Sequence, residues 1–221
     1  MAALVSVTHP AEGIARLTID RPDRRNALSV AVRDEMSDAL DELGGADDVR
    51  VVLVDSTGPV FCAGFDLREF EDPDLQAALW ASSDRWHATL RNFPLPLIAV
   101  VQGAAVAGGF DLATMCDLRI VARSATFARP ESRWGVAIYS IVHDLVGGAL
   151  ARELCLTDRT LTADEALAAG LVTRVMDDAD LAAAALDLAS EVAARPRQGL
   201  LHTKAMAIAA AKVPAEGELG W

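Results

Sequence analysis

The stretch LPLIAVVQGAAVAGGFDLATMCD at residues 95–117 limits what this chain can fold into more than any other part of it. Ile98-Ala99-Val100-Val101 is short, apolar and rich in β-branched residues, the pattern of a strand covered on both faces. Gly103, Ala104, Ala105, Ala107, Gly108 and Gly109 then remove almost all side-chain bulk, so a ligand or another backbone can come close. From about Gly108 the pattern turns helical. A helix beginning there leaves its first N–H groups without intrahelical acceptors, and negative charge developing on an oxygen in front of them is stabilised. Plain close packing of a Gly/Ala helix on a sheet uses the same residues, so the stretch alone sets a packing and leaves the chemistry open.

The rest of the chain reads as support for that turn. Residues 3–8 and 14–20 alternate around Pro10 and Gly13 and predict a β-hairpin. Ser29 is placed to cap a helix running to about Leu43, with Val32, Met36, Ala39, Leu40 and Leu43 on its buried stripe and Gly44-Gly45 at its end. Residues 49–55 predict a second buried strand, and it too enters a small-residue turn, FCAGFDL at 61–67. A helix over about 74–92 stops before Pro94 and Pro96. Strands follow at 118–122 and 172–176, with an extended segment at 125–130. Thr162 and Glu165 have capping-box spacing at the start of a short helix that Gly170 closes. Helices over 180–195 and 199–212 complete an α/β chain with largely parallel strand pairing.

The 221 residues suit one domain with a sizeable core. Twenty basic against 32 acidic side chains give a net charge of −12, which argues against a nucleic-acid or anionic-membrane surface. A small anionic ligand held by a few arginines and helix N-termini remains compatible with that balance. Cys62, Cys116 and Cys155 are odd in number and lack CxxC spacing, so neither a disulfide framework nor a zinc site is expected. The first ten residues lack the basic start and apolar run of a signal peptide, and the apolar stretch around Gln102 is too short to cross a bilayer. The expectation is a cytoplasmic protein with neither a membrane nor a nucleic-acid partner.

Five ordered motifs carry more specific information. They are Arg21-Pro22 with Asn26-Ala27-Leu28; FCAGFDL at 61–67; Gln102-Gly103 through Gly108-Gly109-Phe110-Asp111-Leu112 and Met115-Cys116-Asp117; Phe127-Ala128-Arg129-Pro130-Glu131 with Gly135; and Leu161-Thr162-Ala163 with Ala166 and Gly170-Leu171-Val172. In this order and with these gaps, over about residues 14–205, the chain resembles the crotonase family, the enoyl-CoA hydratases and isomerases.

The resemblance implies a crotonase-like spiral of β-β-α turns and an acyl-CoA thioester as substrate. It implies two backbone N–H donors, at Phe65 and Gly108, that hold the thioester oxygen as it becomes enolate-like. It implies substrate contacts at Ala63, Asp66, Leu67 and Gly109, with Arg68 where the family often has a cation near the CoA phosphates and Arg24 and Arg25 in a turn that could face the same ligand, solvated surface arginines being the alternative; it puts the carboxylates Glu131 and Asp111 at the acid/base positions. Two carboxylates suit water addition, since one accepts a proton from water while the other delivers one to carbon. No metal or cofactor is implied beyond the CoA that belongs to the substrate. A homotrimer, or a hexamer of paired trimers, is the implied assembly.

Three departures qualify this reading. Asp111 stands where hydratases of the family usually have glutamate, one methylene longer. The segment after Gly135, VAIYSIV at 136–142, replaces a loop that commonly contains Pro and Gly. Relatives also usually continue beyond the length reached at Trp221, so the expected layout is a spiral core over 1–195 and a shortened C-terminal helical segment over 196–221. Trp134, Ile138 and Tyr139 are candidates for an acyl pocket or for ordinary packing. Glu131 is an acid/base residue or a surface glutamate paired with Arg129 or Arg133; Asp111 is a water-orienting residue or a first-turn aspartate favoured by the helix dipole. The functional readings are hydration of a trans-2-enoyl-CoA, double-bond isomerisation by Glu131 alone, and acyl-CoA binding without catalysis.

Overall fold

The period-2 apolar runs become two sheets, and the small-residue turns become the places where the chain leaves one sheet for a helix. The computed structural model describes residues 3–133, 139–157 and 159–211. Its elements follow as β1 (Val5–Ala11), β2 (Ile14–Ile19), α1 (Val30–Gly45), β3 (Val51–Ser56), β4 (Val60–Cys62), α2 (Gln76–Asn92), β5 (Leu97–Val101), β6 (Ala104–Val106), α3 (Gly108–Met115), β7 (Leu118–Ala122), β8 (Thr126–Ala128), α4 (Tyr139–Leu156), β9 (Thr160–Thr162), α5 (Ala163–Ala168), β10 (Arg174–Met176), α6 (Leu181–Ala193) and α7 (Arg197–Ala210).

One sheet has six strands in the order β1-β2-β3-β5-β7-β10, and a smaller one has four in the order β4-β6-β8-β9. The β1–β2 hairpin is antiparallel and the rest of the large sheet is parallel. Thus β3-β4-α2, β5-β6-α3 and β7-β8-α4 are successive β-β-α turns, each adding one strand to each sheet before a helix crosses back. This is the spiral expected from the motifs.

Strand β5 shows why its sequence carries no polar residue. Leu97, Ala99 and Val101 join the main core with Val52 and Val54, whereas Ile98 and Val100 turn with Val51 and Leu53 toward Leu181, Ala185 and Leu188 of α6. Full burial of each large aliphatic side chain contributes about 1.5–3 kcal/mol, so the two-sided strand anchors both layers. Ser29 caps α1 by accepting from the Val32 amide at 3.3 Å. The Thr162–Glu165 box closes reciprocally, with Thr162 N–H donating to Glu165 at 2.9 Å and Glu165 N–H to Thr162 Oγ1 at 3.3 Å. Helix α7 is tied down by Lys204, which donates to both Asp117 oxygens at 2.7 Å, while Asp117 also accepts from the Leu97 amide at 2.8 Å.

Some expectations change. Residues 103–109 are not one turn, because Ala104–Val106 is a short strand pairing with both β4 and β8. Small side chains are needed there for contact between layers: a Cβ on Gly109 would overlap the Cys62 carbonyl. Pro130 and Glu131 lie in a 3-10 turn, Pro130–Arg133, and not in an extended segment. Helix α4 was not expected from the sequence. Trp134, Ile138, the Tyr139 side chain and residues 212–221 of the expected C-terminal segment lie outside the described residues.

Candidate active site

Parallel pairing of β4 with β6, with Val60 opposite Ala104 and Cys62 opposite Ala105, sends two turns off the same side of the small sheet. The first is Ala63-Gly64-Phe65 and the second is Ala107-Gly108. They touch: a Cβ on Gly64 would lie 2.8 Å from the Ala107 Cβ and 3.2 Å from the Gly108 nitrogen, and Gly64 has φ +89°. Ala107 has φ 53° and ψ −124°, a conformation that costs a non-glycine residue about 1–3 kcal/mol. Each turn thereby carries the chain through positive φ just before the amide of interest.

The Phe65 amide is fixed from both sides. Leu28 N–H donates to Gly64 O at 2.8 Å, and Asp66 N–H donates to Leu28 O at 3.3 Å. Behind it, fully buried Arg33 donates to Leu28 O at 2.7 Å, to Leu79 O at 3.1 Å and to Ser82 Oγ at 3.2 Å. Its guanidinium carbon lies 4.4 Å from the Phe65 ring centroid. Asn26 braces the same turn, donating to Thr57 O and Val60 O at 2.7 Å each and accepting from Arg21 N–H at 2.9 Å. Among the described residues, neither the Phe65 nor the Gly108 amide has a hydrogen-bond acceptor. Two such donors on adjoining turns can hold an oxygen that gains negative charge.

A carboxylate pair, one buried and one partly buried, stands on the neighbouring elements. Asp111 stands in the first turn of α3, where the helix dipole favours a carboxylate, and is 5% exposed. Arg129 is fully buried after β8, with its guanidinium 3.1 Å from Asp111 Oδ1 and 3.7 Å from Glu131 Oε1. The Phe110 ring backs that guanidinium at 5.2 Å. Glu131 is partly buried at this same arginine, and the Arg133 side chain lies outside the described residues. Burial pushes the Glu131 carboxyl up to about 7; the Asp111 charge adds to the rise and Arg129 opposes it. Burial raises Asp111 too, against the pull of Arg129. A carboxyl near 7 can both give and take a proton at neutral pH.

Of the other expected residues, Ala63, Asp66, Leu67 and Arg68 follow the first turn and Gly109 opens the helix after the second. The Asp66 carboxylate is engaged by Arg21 at 2.8 Å. Leu67 and Arg68 are exposed beside it, whereas Arg24 is exposed in an earlier turn and pairs with Asp23 at 3.6 Å. Three buried polar residues near the site escaped the sequence reading: Arg33, His87 and Arg129 in a role beyond surface pairing. The signal for two of them was present. Arg33 shares the α1 stripe with Met36, and His87 shares the α2 stripe with Leu79, Ser83, Trp86 and Leu90. Among the described residues there is no group of His, Cys, Asp or Glu able to hold a metal ion, and no helix is long and apolar enough to cross a membrane.

Two adjoining turns with acceptor-free amides and a carboxylate pair that shares Arg129, carried on a β-β-α spiral, are parts that a class of enzymes working on activated acyl groups would need. The family model described as enoyl-CoA hydratase/isomerase matches residues 9–218, and the chain belongs to that family. It is 35% identical over 196 residues to a probable enoyl-CoA hydratase of Mycobacterium leprae, covering 84% of this chain and 76% of that protein. It is 31% identical over 217 residues to the human mitochondrial Delta(3,5)-Delta(2,4)-dienoyl-CoA isomerase, covering 90% of this chain and 66% of that one. Among solved structures, the enoyl-CoA hydratase of Bacillus anthracis superposes with a TM-score of 0.88 at 27% identity, over 94% of this chain and 83% of that chain.

Proposed function

We propose that this member of a family of acyl-CoA-processing enzymes hydrates a trans-2-enoyl-CoA to the 3-hydroxyacyl-CoA. The observation that carries the reading is the occurrence of two acceptor-free amides, on turns in contact, together with a buried and a partly buried carboxylate that share Arg129. The thioester oxygen sits between the Phe65 and Gly108 amides, so negative charge moving onto it as the enolate forms is stabilised by about 3 kcal/mol per donor. Water adds its oxygen to C3, giving up a proton toward Asp111, while protonated Glu131 delivers a proton to C2. Hydroxyl and hydrogen thus add across the double bond, and the two carboxyl groups reset by exchange with solvent. Ala63, Leu67, Arg68, Gly109 and Arg24 are assigned to the CoA side, and Asp66 to holding its turn. A homotrimer and a cytoplasmic location belong to the same reading; three free cysteines suit a reducing compartment.

One observation favours a second reaction. Asp111 is short and faces the Arg129 guanidinium at 3.1 Å, which draws its carboxylate away from a water. Glu131 alone then moves a proton between carbons, which is double-bond isomerisation, as in the dienoyl-CoA isomerase relative. Crotonyl-CoA hydration, followed by loss of the conjugated thioester absorbance, separates these readings. Hydratase chemistry predicts turnover in the wild type and a loss of about 1,000-fold or more in Glu131→Gln with binding retained. Binding without turnover in the wild type would reject hydration and leave isomerisation or acyl-CoA binding.

A further inference from the structure

Helix α2 brings to this site an acceptor that the chemistry above does not use. His87 is 2% exposed, and its Nδ1 lies 2.8 Å from the Ser83 carbonyl oxygen. A carbonyl oxygen only accepts, so Nδ1 carries the ring proton and Nε2 presents a lone pair. Burial lowers the His87 pKa to about 4 despite the Ser83 bond, and the charges of Arg91, Arg33 and Arg129 add to the fall. The ring is therefore neutral at neutral pH. Nε2 has no hydrogen-bond partner among the described residues. An acceptor left so is costly, which points to a donor that arrives with the ligand.

The position of the ring says which donor. Its centroid is 6.2 Å from that of Phe65, the residue whose amide forms half of the oxyanion site. It is also within electrostatic reach of Arg129, which contacts both carboxylates. Trp86 packs edge-on at 4.7 Å and holds the ring plane. The imidazole thus packs against the side chain of the residue that carries one oxyanion amide, in the field of the arginine that holds the two carboxylates. Asp111, one methylene shorter than glutamate and drawn to Arg129, leaves the incoming water short of an acceptor.

We propose that His87 Nε2 accepts a hydrogen bond from the O–H that adds at C3, as water in one direction and as the product 3-hydroxyl in the other. The proposal rests on the hydratase reading. No proton passes to the imidazole, and the bonds made and broken remain those of water addition.

The test compares two rates in wild type, His87→Phe and His87→Gln: crotonyl-CoA hydration, and exchange of the α-protons of butyryl-CoA with deuterium oxide. Exchange needs Glu131 and the oxyanion amides but no added water. Hydration in His87→Phe should fall about 100-fold, as expected for a buried hydrogen bond left unmade, at least ten-fold more than exchange falls, and His87→Gln, which restores an acceptor, should recover most of the loss. Equal losses of both rates, or hydration at the wild-type rate in His87→Phe, would overturn the proposal. Exchange without hydration in the wild type overturns it while leaving the enolate site standing; absence of both in the wild type overturns the acyl-CoA reading as well.

Discussion

At the scale of single residues, Glu131 links chemistry to stability. Its folded-state pKa of about 7 lies above the 4.5 of an ordinary glutamate, mainly through burial. The native protein therefore holds a proton that the unfolded chain releases between those values. Stability from this group is full below about pH 4.5 and is lost as the pH rises through about 7. Glu131→Gln should flatten that decline and melt above the wild type at pH 8, by on the order of 1–3 kcal/mol, in thermal scans at pH 5 and 8. An unchanged pH dependence would place Glu131 in solvent. Asn26 is a structural counterpart. It is fully buried at φ 53° and serves two carbonyls and one amide. Asn26→Ala strands those carbonyls and should cost about 2–4 kcal/mol in urea unfolding.

At the scale of elements, the site is made by two strand-to-turn junctions and a helix start. These were legible because they demand unusual composition: only small residues let Gly64 approach Gly108 and let α3 rest on Cys62. The short strands were not legible. Three residues such as Ala104–Val106 are too few to show a period, and their partners come from distant parts of the chain. Arg129 was read only as a surface partner, since Ala128 and Pro130 beside it give no sign of burial. Ala107 carries strain that the sequence does not display. Ala107→Gly should relieve it and raise unfolding stability by about 1 kcal/mol, net of the added freedom of the unfolded chain. A loss of stability in that variant would show that the turn is unstrained.

At the scale of the whole molecule, α6 and α7 cover what the spiral leaves open. Helix α6 seals the outer face of the large sheet. Helix α7 is joined to the site's helix through Lys204 and Asp117, just beyond the end of α3, and to the end of α1 and the segment after it through Arg197, which donates to Ala46 O and Val49 O at 3.1 Å. Lys204 is 6% exposed, so Lys204→Met leaves Asp117 without its cation and should cost about 1–3 kcal/mol, a few degrees in Tm. Acyl-CoA binding should change little, because the pair lies at the opposite end of α3 from Gly108.

Hydration and isomerisation both require proton chemistry at the carbon next to the thioester. The direct measurement is incorporation of solvent deuterium at the α-carbon of butyryl-CoA, by mass spectrometry, with wild type and Glu131→Gln side by side. Incorporation by the wild type should rise with pH through about 7, as Glu131 ionises, with essentially none in the variant. No incorporation by a wild type that binds the thioester, or equal incorporation by both proteins, would contradict proton transfer by Glu131.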